Sequence, residues 1–229
     1  MSEFKNTVDI YNENGQDGEA IVAAAIIDRT ITEFVDDRIK LVYNYAFFTC
    51  DKLKKVNLPN VETVRGSAFY ACTSLKEIML QNTKILGDLA FTLCGQLENV
   101  YLPNVTSIGT YAFQYCENLK SMTVINAESI QSHAFSGCTM LESVDCSSKE
   151  LYSATFYNCK SLSTLIMRGD TRCVVYNSIA SPITFLEGTP IASGNGYIYV
   201  PENLINDYKE AYGWSTYADQ IKPLSELPQ

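Results

Sequence analysis

The heptapeptide Phe113-Gln114-Tyr115-Cys116-Glu117-Asn118-Leu119 is one of six copies of the pattern Phe-x-x-Cys-x-x-Leu in this chain of 229 residues. The copies begin at Phe47, Phe69, Phe91, Phe113, Phe135 and Phe156, so successive copies lie 22, 22, 22, 22 and 21 residues apart. Chance would place a cysteine three residues after a phenylalanine less than once in a chain of this composition. A fixed period of this length therefore indicates repeated structural units that stack into a solenoid.

Apolar residues at fixed distances from this pattern predict one short strand in every repeat. Two apolar positions separated by one variable residue follow each leucine, and a period of two is typical of a strand with one buried side. These expected core pairs are Val56 and Leu58, Ile78 and Leu80, Val100 and Leu102, Met122 and Val124, Val144 and Cys146, and Leu165 and Met167. A return segment then begins at Val64, Leu86, Ile108, Ile130 or Leu151. Because a single unit cannot bury its own apolar side, the strands of stacked units should form a parallel sheet.

The sequence within a repeat is also characteristic. Leu53-x-x-Val56-x-Leu58-Pro59, followed by Val64 and by Ala68-Phe69-x-x-Cys72, resembles the BspA-like (Treponema pallidum type) leucine-rich repeat, and residues 101–113 are close to its consensus. The resemblance covers residues 39–167. The segment from Gly196 to Ala218 is similar to a C-terminal segment that often follows such repeats in bacterial and phage proteins. This resemblance implies a binding or adhesion protein, extracellular or at the cell surface, rather than an enzyme.

We therefore predict an α/β, mostly β, leucine-rich-repeat solenoid with one short parallel strand per repeat of about 22 residues. It should be right-handed, because parallel crossover connections almost always are. Residues 1–38 are predicted as an N-terminal cap, residues 39–167 as a solenoid of about six repeats, and residues 168–229 as a C-terminal cap. The three regions should form one continuous structural domain.

Both caps are expected to cover the open edges of the end repeats. In the N-terminal cap, the apolar run from Ala20 to Ile27 should form core, and residues 30–34 should form a strand. The C-terminal cap should begin with loops between Ser178 and Gly196, followed by a strand at residues 197–200.

Pro201 suits the first turn of a helix, with Leu204, Ile205, Tyr208 and Tyr212 on one side and Gly213 at its end. Ser215 is a candidate cap for a last short helix ending near Pro223, and Trp214 and Tyr217 should cover the final repeat.

The eight cysteines predict a structural column rather than a metal site. Six of them occur once per repeat, and no Cys-x-x-Cys pair with zinc-ligand spacing occurs in the sequence. We expect buried, reduced and unliganded thiols, no metal and no cofactor. His133, the single histidine, occupies a variable position of the repeat, and no catalytic motif accompanies it. These patterns predict that the protein is not an enzyme.

Charge argues against nucleic acid and membrane partners. The net charge is −9, and no basic run is longer than Lys54-Lys55, whereas both kinds of partner require clustered cations. The run from Ala20 to Ile27 is much shorter than the roughly twenty residues that span a bilayer. The acidic first twenty residues do not match a secretory signal. We expect a monomer without membrane insertion, and a cytoplasmic or virion-associated location is an alternative to the cell surface.

The candidate ligand-binding residues are the variable ones between the paired core positions. In successive repeats they are Asn57, Met79, Tyr101, Thr123, Asp145 and Ile166, flanked by a second variable row at Lys55, Glu77, Asn99, Ser121, Ser143 and Thr164. Tyr101 is the strongest candidate, because tyrosine is enriched among residues that dominate binding energy. The expected partner is a protein or a glycan. The alternative function is a structural or accessory part of a larger particle, such as a phage virion or a cell envelope assembly.

Overall fold

The computed structural model describes residues 20–22, 29–176 and 183–228. In this part of the chain, short parallel strands wind into a solenoid of about eight turns with little helix. The expected parallel solenoid is therefore confirmed. Residues 23–27 of the predicted cap core and residues 178–182 of the predicted C-terminal loops lie outside the described residues.

The front of the solenoid carries the strands that the sequence predicted. They form two separate parallel sheets, which we call the N-terminal and C-terminal front sheets. The N-terminal front sheet contains β2 (Glu33–Val35), β4 (Lys55–Asn57), β6 (Glu77–Met79) and β8 (Asn99–Tyr101). The C-terminal front sheet contains β10 (Ser121–Val124), β12 (Ser143–Cys146), β14 (Thr164–Met167), β16 (Tyr197–Val200) and β17 (Ile221–Pro223).

The return segments form a second strand in each repeat, so the expectation of one strand per repeat was too low. They make one uninterrupted parallel sheet of eight strands, the back sheet. Its members are β1 (Ala20–Val22), β3 (Ile39–Val42), β5 (Thr63–Val64), β7 (Ile85–Leu86), β9 (Ser107–Ile108), β11 (Ser129–Ile130), β13 (Glu150–Tyr152) and β15 (Val174–Tyr176). Strands of two residues persist because every repeat finds a partner on each side.

The Phe-x-x-Cys loops close each turn and stack on one another. The six phenylalanines form a buried column with ring centroids 4.6–5.6 Å apart and planes within 14° of parallel. Main-chain bonds also join the loops: the Phe69 amide donates to the Ala90 carbonyl, and the Ala71 amide donates to the Thr92 carbonyl, both at 2.8 Å. The loops are thus a third bonded side of the solenoid.

All eight cysteines lie in the described part of the chain, and all are buried, as predicted; they are present as free thiols. In five consecutive repeats the ladder thiol donates to the main-chain carbonyl of the phenylalanine in the preceding repeat. The donors are Cys72, Cys94, Cys116, Cys138 and Cys159, with Sγ to oxygen distances of 3.0–3.2 Å. A small side chain with a weak donor is therefore suited to this position.

Aromatic residues close the C-terminal end. Trp214 and Tyr217 are buried, as expected, and both rings pack edge-on against Phe185. The Trp214 indole N–H donates to the carbonyl of Cys173 at 2.8 Å, and the Tyr217 hydroxyl donates to Thr184 Oγ1 at 3.1 Å. The first bond attaches the cap immediately before β15 (Val174–Tyr176), and the second joins two parts of the cap.

The helices of the C-terminal cap are shorter than predicted. The α-helix α1 spans Ile205–Glu210, and 3₁₀ helices span Ile191–Ser193, Glu202–Leu204, Ser215–Gln220 and Leu224–Glu226. Because α1 ends two residues earlier than predicted, Tyr212 lies outside it and is 75% exposed, so its predicted place on the helix is wrong. The 3₁₀ helix at 215–220 has no side-chain cap, so the predicted capping role of Ser215 is wrong as well. At the other end, the predicted strand at residues 30–34 is displaced to β2.

Candidate functional site

The predicted row of binding residues lies on the front of the solenoid but is not uniformly exposed. Tyr101 is 49% exposed and Thr123 is exposed, whereas Asn57, Met79 and Asp145 are half-buried. Strand register places Asn57, Met79 and Tyr101 side by side in the N-terminal front sheet, and Thr123, Asp145 and Ile166 side by side in the C-terminal one. The row is therefore divided into two groups of three.

The expected exposure of Ile166 is wrong, since this side chain is only 8% exposed. Strand β16 continues the sheet beyond β14 and places Tyr199, itself 5% exposed, directly beside Ile166. Asp145 lies on the other side of Ile166. Arg168 Nε donates to the two carboxylate oxygens of Asp145, at 2.7 and 2.9 Å. The C-terminal end of the row thus belongs to the packing between solenoid and cap.

The front of the solenoid is interrupted between β8 and β10. In the two repeats before this point, main-chain bonds join neighbouring turns: the Leu58 amide donates to the Met79 carbonyl at 2.9 Å, and the Leu80 amide donates to the Tyr101 carbonyl at 3.0 Å. The equivalent bond from Leu102 to the next repeat is missing, and within the described residues no hydrogen bond reaches the Glu98 carbonyl from that repeat. Most Cα atoms of β8 and β10 are more than 8 Å apart, whereas most of those of β6 and β8 are closer.

The interruption is local, because the chain is bonded on both sides of it. The Asn118 amide donates to the Gly95 carbonyl at 3.2 Å, and the Glu128 amide donates to the Thr106 carbonyl at 2.8 Å. In the same two repeats the back strands β9 and β11 pair normally, and Phe113 stacks on Phe135 at 5.2 Å. The structure therefore holds a short open slot, which we call the front slot, between residues 98–102 and 120–124.

A surface groove of about 510 Å³ leads into the front slot. Its floor is the main chain of Ile78 and Val100. Its walls are the two variable rows, with Met79 and Tyr101 on one side and Glu77, Asn99 and Ser121 on the other. We call it the front groove. Its position explains why Val100, predicted as core, is only half-buried: no neighbouring strand covers it on the side of the slot.

The front groove carries two carboxylates. Lys55 Nζ lies 3.3 Å from Glu77 Oε1, so the first carboxylate is paired. The second belongs to Glu98, which is exposed. The lining otherwise combines a phenol ring, a thioether, an amide and a hydroxyl. Such a surface suits a partner that offers apolar contacts together with hydrogen-bonding groups.

Burial shifts the pKa of several ionisable groups. Burial raises the pKa of Cys138 and of Cys146 to about 12 each. Burial also lowers the pKa of His133, which stacks on Tyr111 with ring centroids 4.8 Å apart. Desolvation by burial is the main cause of all three pKa shifts.

A second groove, of about 590 Å³, runs along the turns and contains an asparagine ladder that sequence reasoning missed. The amides of Asn60, Asn104 and Asn126 each donate to a main-chain carbonyl of the preceding turn at 2.7–2.8 Å. Asn82 donates to Asn60 Oδ1 at 3.4 Å. The recurrence of asparagine at the 22-residue step could have revealed the ladder. Because these amides hold successive turns together, we assign the ladder a structural role.

Two further features bear on function. Over residues 20–22, 29–176 and 183–228, no group of three or more histidine, cysteine, aspartate or glutamate side chains is arranged to hold a metal ion. In the same residues, no helix is both long and apolar enough to cross a membrane.

The family model described as "BspA type Leucine rich repeat region (6 copies)" matches residues 40–163 and 125–180. No curated protein sequence matches the chain.

Several solved structures resemble the chain, including two bacterial proteins. One is a leucine rich cell surface protein from Faecalibacterium prausnitzii A2-165, with 21% identity, a TM-score of 0.65, and coverage of 80% of this chain and 51% of that protein. The other is a leucine-rich repeat protein from Eubacterium ventriosum ATCC 27560, with 27% identity, a TM-score of 0.60, and coverage of 76% and 47%. The chain thus spans about half the length of these two structures.

Proposed function

Because the chain belongs to the BspA type leucine-rich repeat family, we propose that it is a non-enzymatic binding or adhesion protein that recognises a protein or a glycan on its front face. The observation that supports this proposal best is the front groove, which opens beside Tyr101 at an interruption of an otherwise regular sheet.

Tyr101 and Met79 are the proposed contact residues. Their side chains lie side by side in adjacent strands and form one wall of the groove. A tyrosine ring provides a large contact area at a small entropic cost, and a methionine side chain adapts to irregular partners. Thr123 and Asn57 extend the same row on either side, whereas Asp145 and Ile166 are engaged by the C-terminal cap.

The rigid frame around the groove also supports a binding role. The buried phenylalanine and cysteine columns fix the position of every repeat, so the groove residues are held in place before any partner arrives. Pre-organisation of this kind reduces the entropic cost of association. We further propose a location at the cell surface or outside the cell, in line with the cell surface protein that shares this fold.

A binding screen tests the proposal. The chain is applied to a glycan array and to a panel of bacterial and animal cell-surface proteins, together with the double variant Tyr101→Ala/Met79→Ala. Tyr212→Ala, which removes an exposed tyrosine far along the chain in the C-terminal cap, is the matched control. We expect at least one partner that binds the wild type and the control but not the double variant. Partners that bind the double variant equally well, or no partner at all, would contradict the proposal.

A further inference from the structure

The two edges of the front slot expose main-chain groups that are bonded everywhere else on the front. In a parallel ladder, the N–H and C=O groups of alternate residues point to the same neighbouring strand. The Asn99 amide donates to the Lys76 carbonyl, and the Tyr101 carbonyl accepts from the Leu80 amide, so residues 99 and 101 bond towards β6. The groups of residue 100, the Glu98 carbonyl and the Leu102 amide must therefore point into the slot.

The opposite edge of the slot, formed by β10, also exposes main-chain groups. The Lys120 carbonyl accepts from the Glu142 amide at 2.8 Å, so even-numbered residues of this repeat bond towards β12. The N–H and C=O groups of Ser121 and Thr123 consequently face the slot from the other side. Two rows of alternating donors and acceptors thus face each other without pairing.

The slot is too wide for the two rows to pair with each other. Paired strands lie about 4.8 Å apart, and strands separated by one intervening strand lie at about twice that distance. Most Cα pairs of β8 and β10 are more than 8 Å apart, which excludes regular direct pairing, and one intervening strand would bridge the two edges. Because the slot spans residues 98–102, an occupant of about four residues, or ~13 Å, would fill it.

We propose that the front slot accepts a short extended segment of a protein partner, which pairs through its main chain with the edges of β8 and β10. This inference rests on the proposed binding function and narrows the partner to a polypeptide. The alternation of donors and acceptors along both edges matches a main chain, which offers the same alternation at the same spacing. A sugar chain does not repeat that pattern.

Side chains of the bound segment have different surroundings on the two sides. Residues that point inwards meet Val100, which the occupant would cover, so a small apolar residue fits there. Residues that point outwards lie between Tyr101 and Thr123, where the tyrosine ring can pack against them. The preferred segment therefore alternates apolar and polar residues, and proline is excluded from its centre because it lacks an N–H.

Amide hydrogen exchange tests whether the slot is open in the protein without a partner. Leu58, Leu80 and Leu102 occupy equivalent positions in three successive repeats, and the amides of the first two are hydrogen-bonded. We expect the Leu102 amide to exchange about 100-fold faster than the other two. Equal protection of all three amides would show that the slot is closed in solution and would overturn the inference.

Titration with a defined peptide tests occupancy. The probe is acetyl-Thr-Val-Thr-Val-Thr-amide, and the control is the same peptide with both valine amides methylated, which removes two donors. We expect the probe, but not its methylated form, to slow exchange at Val100, Leu102 and Thr123 at least tenfold. An equal effect of both peptides, or an effect of neither at millimolar concentration, would contradict main-chain pairing.

A variant of the slot supplies a further check. Thr123→Pro removes one N–H from the edge of β10 without breaking a bond of the protein itself, and Thr123→Ala is its matched control. We expect the proline variant to reduce protection by the probe at least fivefold relative to the alanine variant, which also loses the side chain but keeps the N–H. Identical behaviour of the two variants would argue against pairing along β10.

The outcomes separate this inference from the function proposed above. If a partner from the binding screen requires Tyr101 and Met79 but leaves exchange at Leu102 unchanged, the binding function stands and strand pairing fails. If protection of Leu102 instead rises with protein concentration in the absence of peptide, the occupant is a second copy of the chain, which overturns the choice of a separate partner.

Discussion

The Cys94 thiol donates a hydrogen bond of 3.1 Å to the main-chain carbonyl of Phe69, a residue 25 positions earlier in the preceding repeat. The bond joins the two residues that define the repeat pattern, one from each of two stacked loops. Since the same bond recurs in five consecutive repeats, it is a regular part of the stacking. The thiol proton forms this hydrogen bond, so the cysteines can make the bond only in their protonated form.

The thiols should be unreactive in the native protein. At pH 8 we expect Ellman's reagent to modify fewer than one thiol per chain within an hour, and all eight after unfolding in guanidinium chloride. Buried thiols have few thiolates to react and are inaccessible to the reagent. Rapid modification of several cysteines in the folded protein would contradict this expectation.

Alkaline pH should destabilise the fold through the same thiols. Cys138 and Cys146 have pKa values of about 12 in the folded protein, whereas unfolded thiols ionise near pH 8.5. Raised folded values mean that the stabilisation is complete below the unfolded pKa and is lost as pH rises towards 12. Each thiol contributes a slope of about 1.4 kcal/mol per pH unit in that range. Urea unfolding between pH 8 and 11 measures the slope, which Cys138→Ala should make shallower; a midpoint independent of pH would refute the prediction.

Phe113→Ala should lower the free energy of unfolding by about 3 to 5 kcal/mol. Phe113 is fully buried and stacks between Phe91 and Phe135, at 5.3 and 5.2 Å. Tyr212→Ala removes an aromatic side chain of similar size that is 75% exposed, and its effect should stay within about 0.5 kcal/mol. Urea denaturation of both variants checks the contrast, and equal midpoints would show that the column does not stabilise the fold.

Gly137→Ala should destabilise the protein by about 1 to 2 kcal/mol. Gly137 has a φ of +75°, where an L-residue is strained, and an added Cβ would lie 2.5 Å from Cδ1 of Tyr115. Gly95→Ala is the matched control, because Gly95 has no atom within 4 Å of the added Cβ and does not have a positive φ. Replacement there should be neutral or stabilising. Thermal denaturation that ranked the two variants in the opposite order would contradict the assignment.

Binding of a partner found in the screen should weaken at least tenfold in Tyr101→Ala/Met79→Ala, with an unchanged melting temperature. The reason is that both side chains form a wall of the front groove but neither belongs to the buried columns. Isothermal titration calorimetry measures the affinity, and calorimetric melting controls for folding. Unchanged affinity would move the site to the back sheet or the caps.

Sequence reasoning located the core because packing repeats with the chain. Every phenylalanine and cysteine of the 22-residue pattern is buried where the period places it. The burial of Ile166 was missed, since it depends on Tyr199, which the cap brings back from outside the repeat. The front slot left no trace in the spacing either. Phe91, Phe113 and Phe135 are spaced 22 residues apart on both sides of the slot. This spacing constrains the phenylalanine column inside the solenoid but not the distance between strands on its surface.

The 21-residue step between Phe135 and Phe156 shows where the chain tolerates a change of length. The missing residue falls in the turn between β12 and β13, where the asparagine ladder ends, while the strands on both sides remain in register with their neighbours. The turn thus absorbs the deletion, and the strands that follow it keep their pairing. A fluorophore or affinity tag inserted at Ser147, in this turn, should consequently leave the front of the molecule undisturbed.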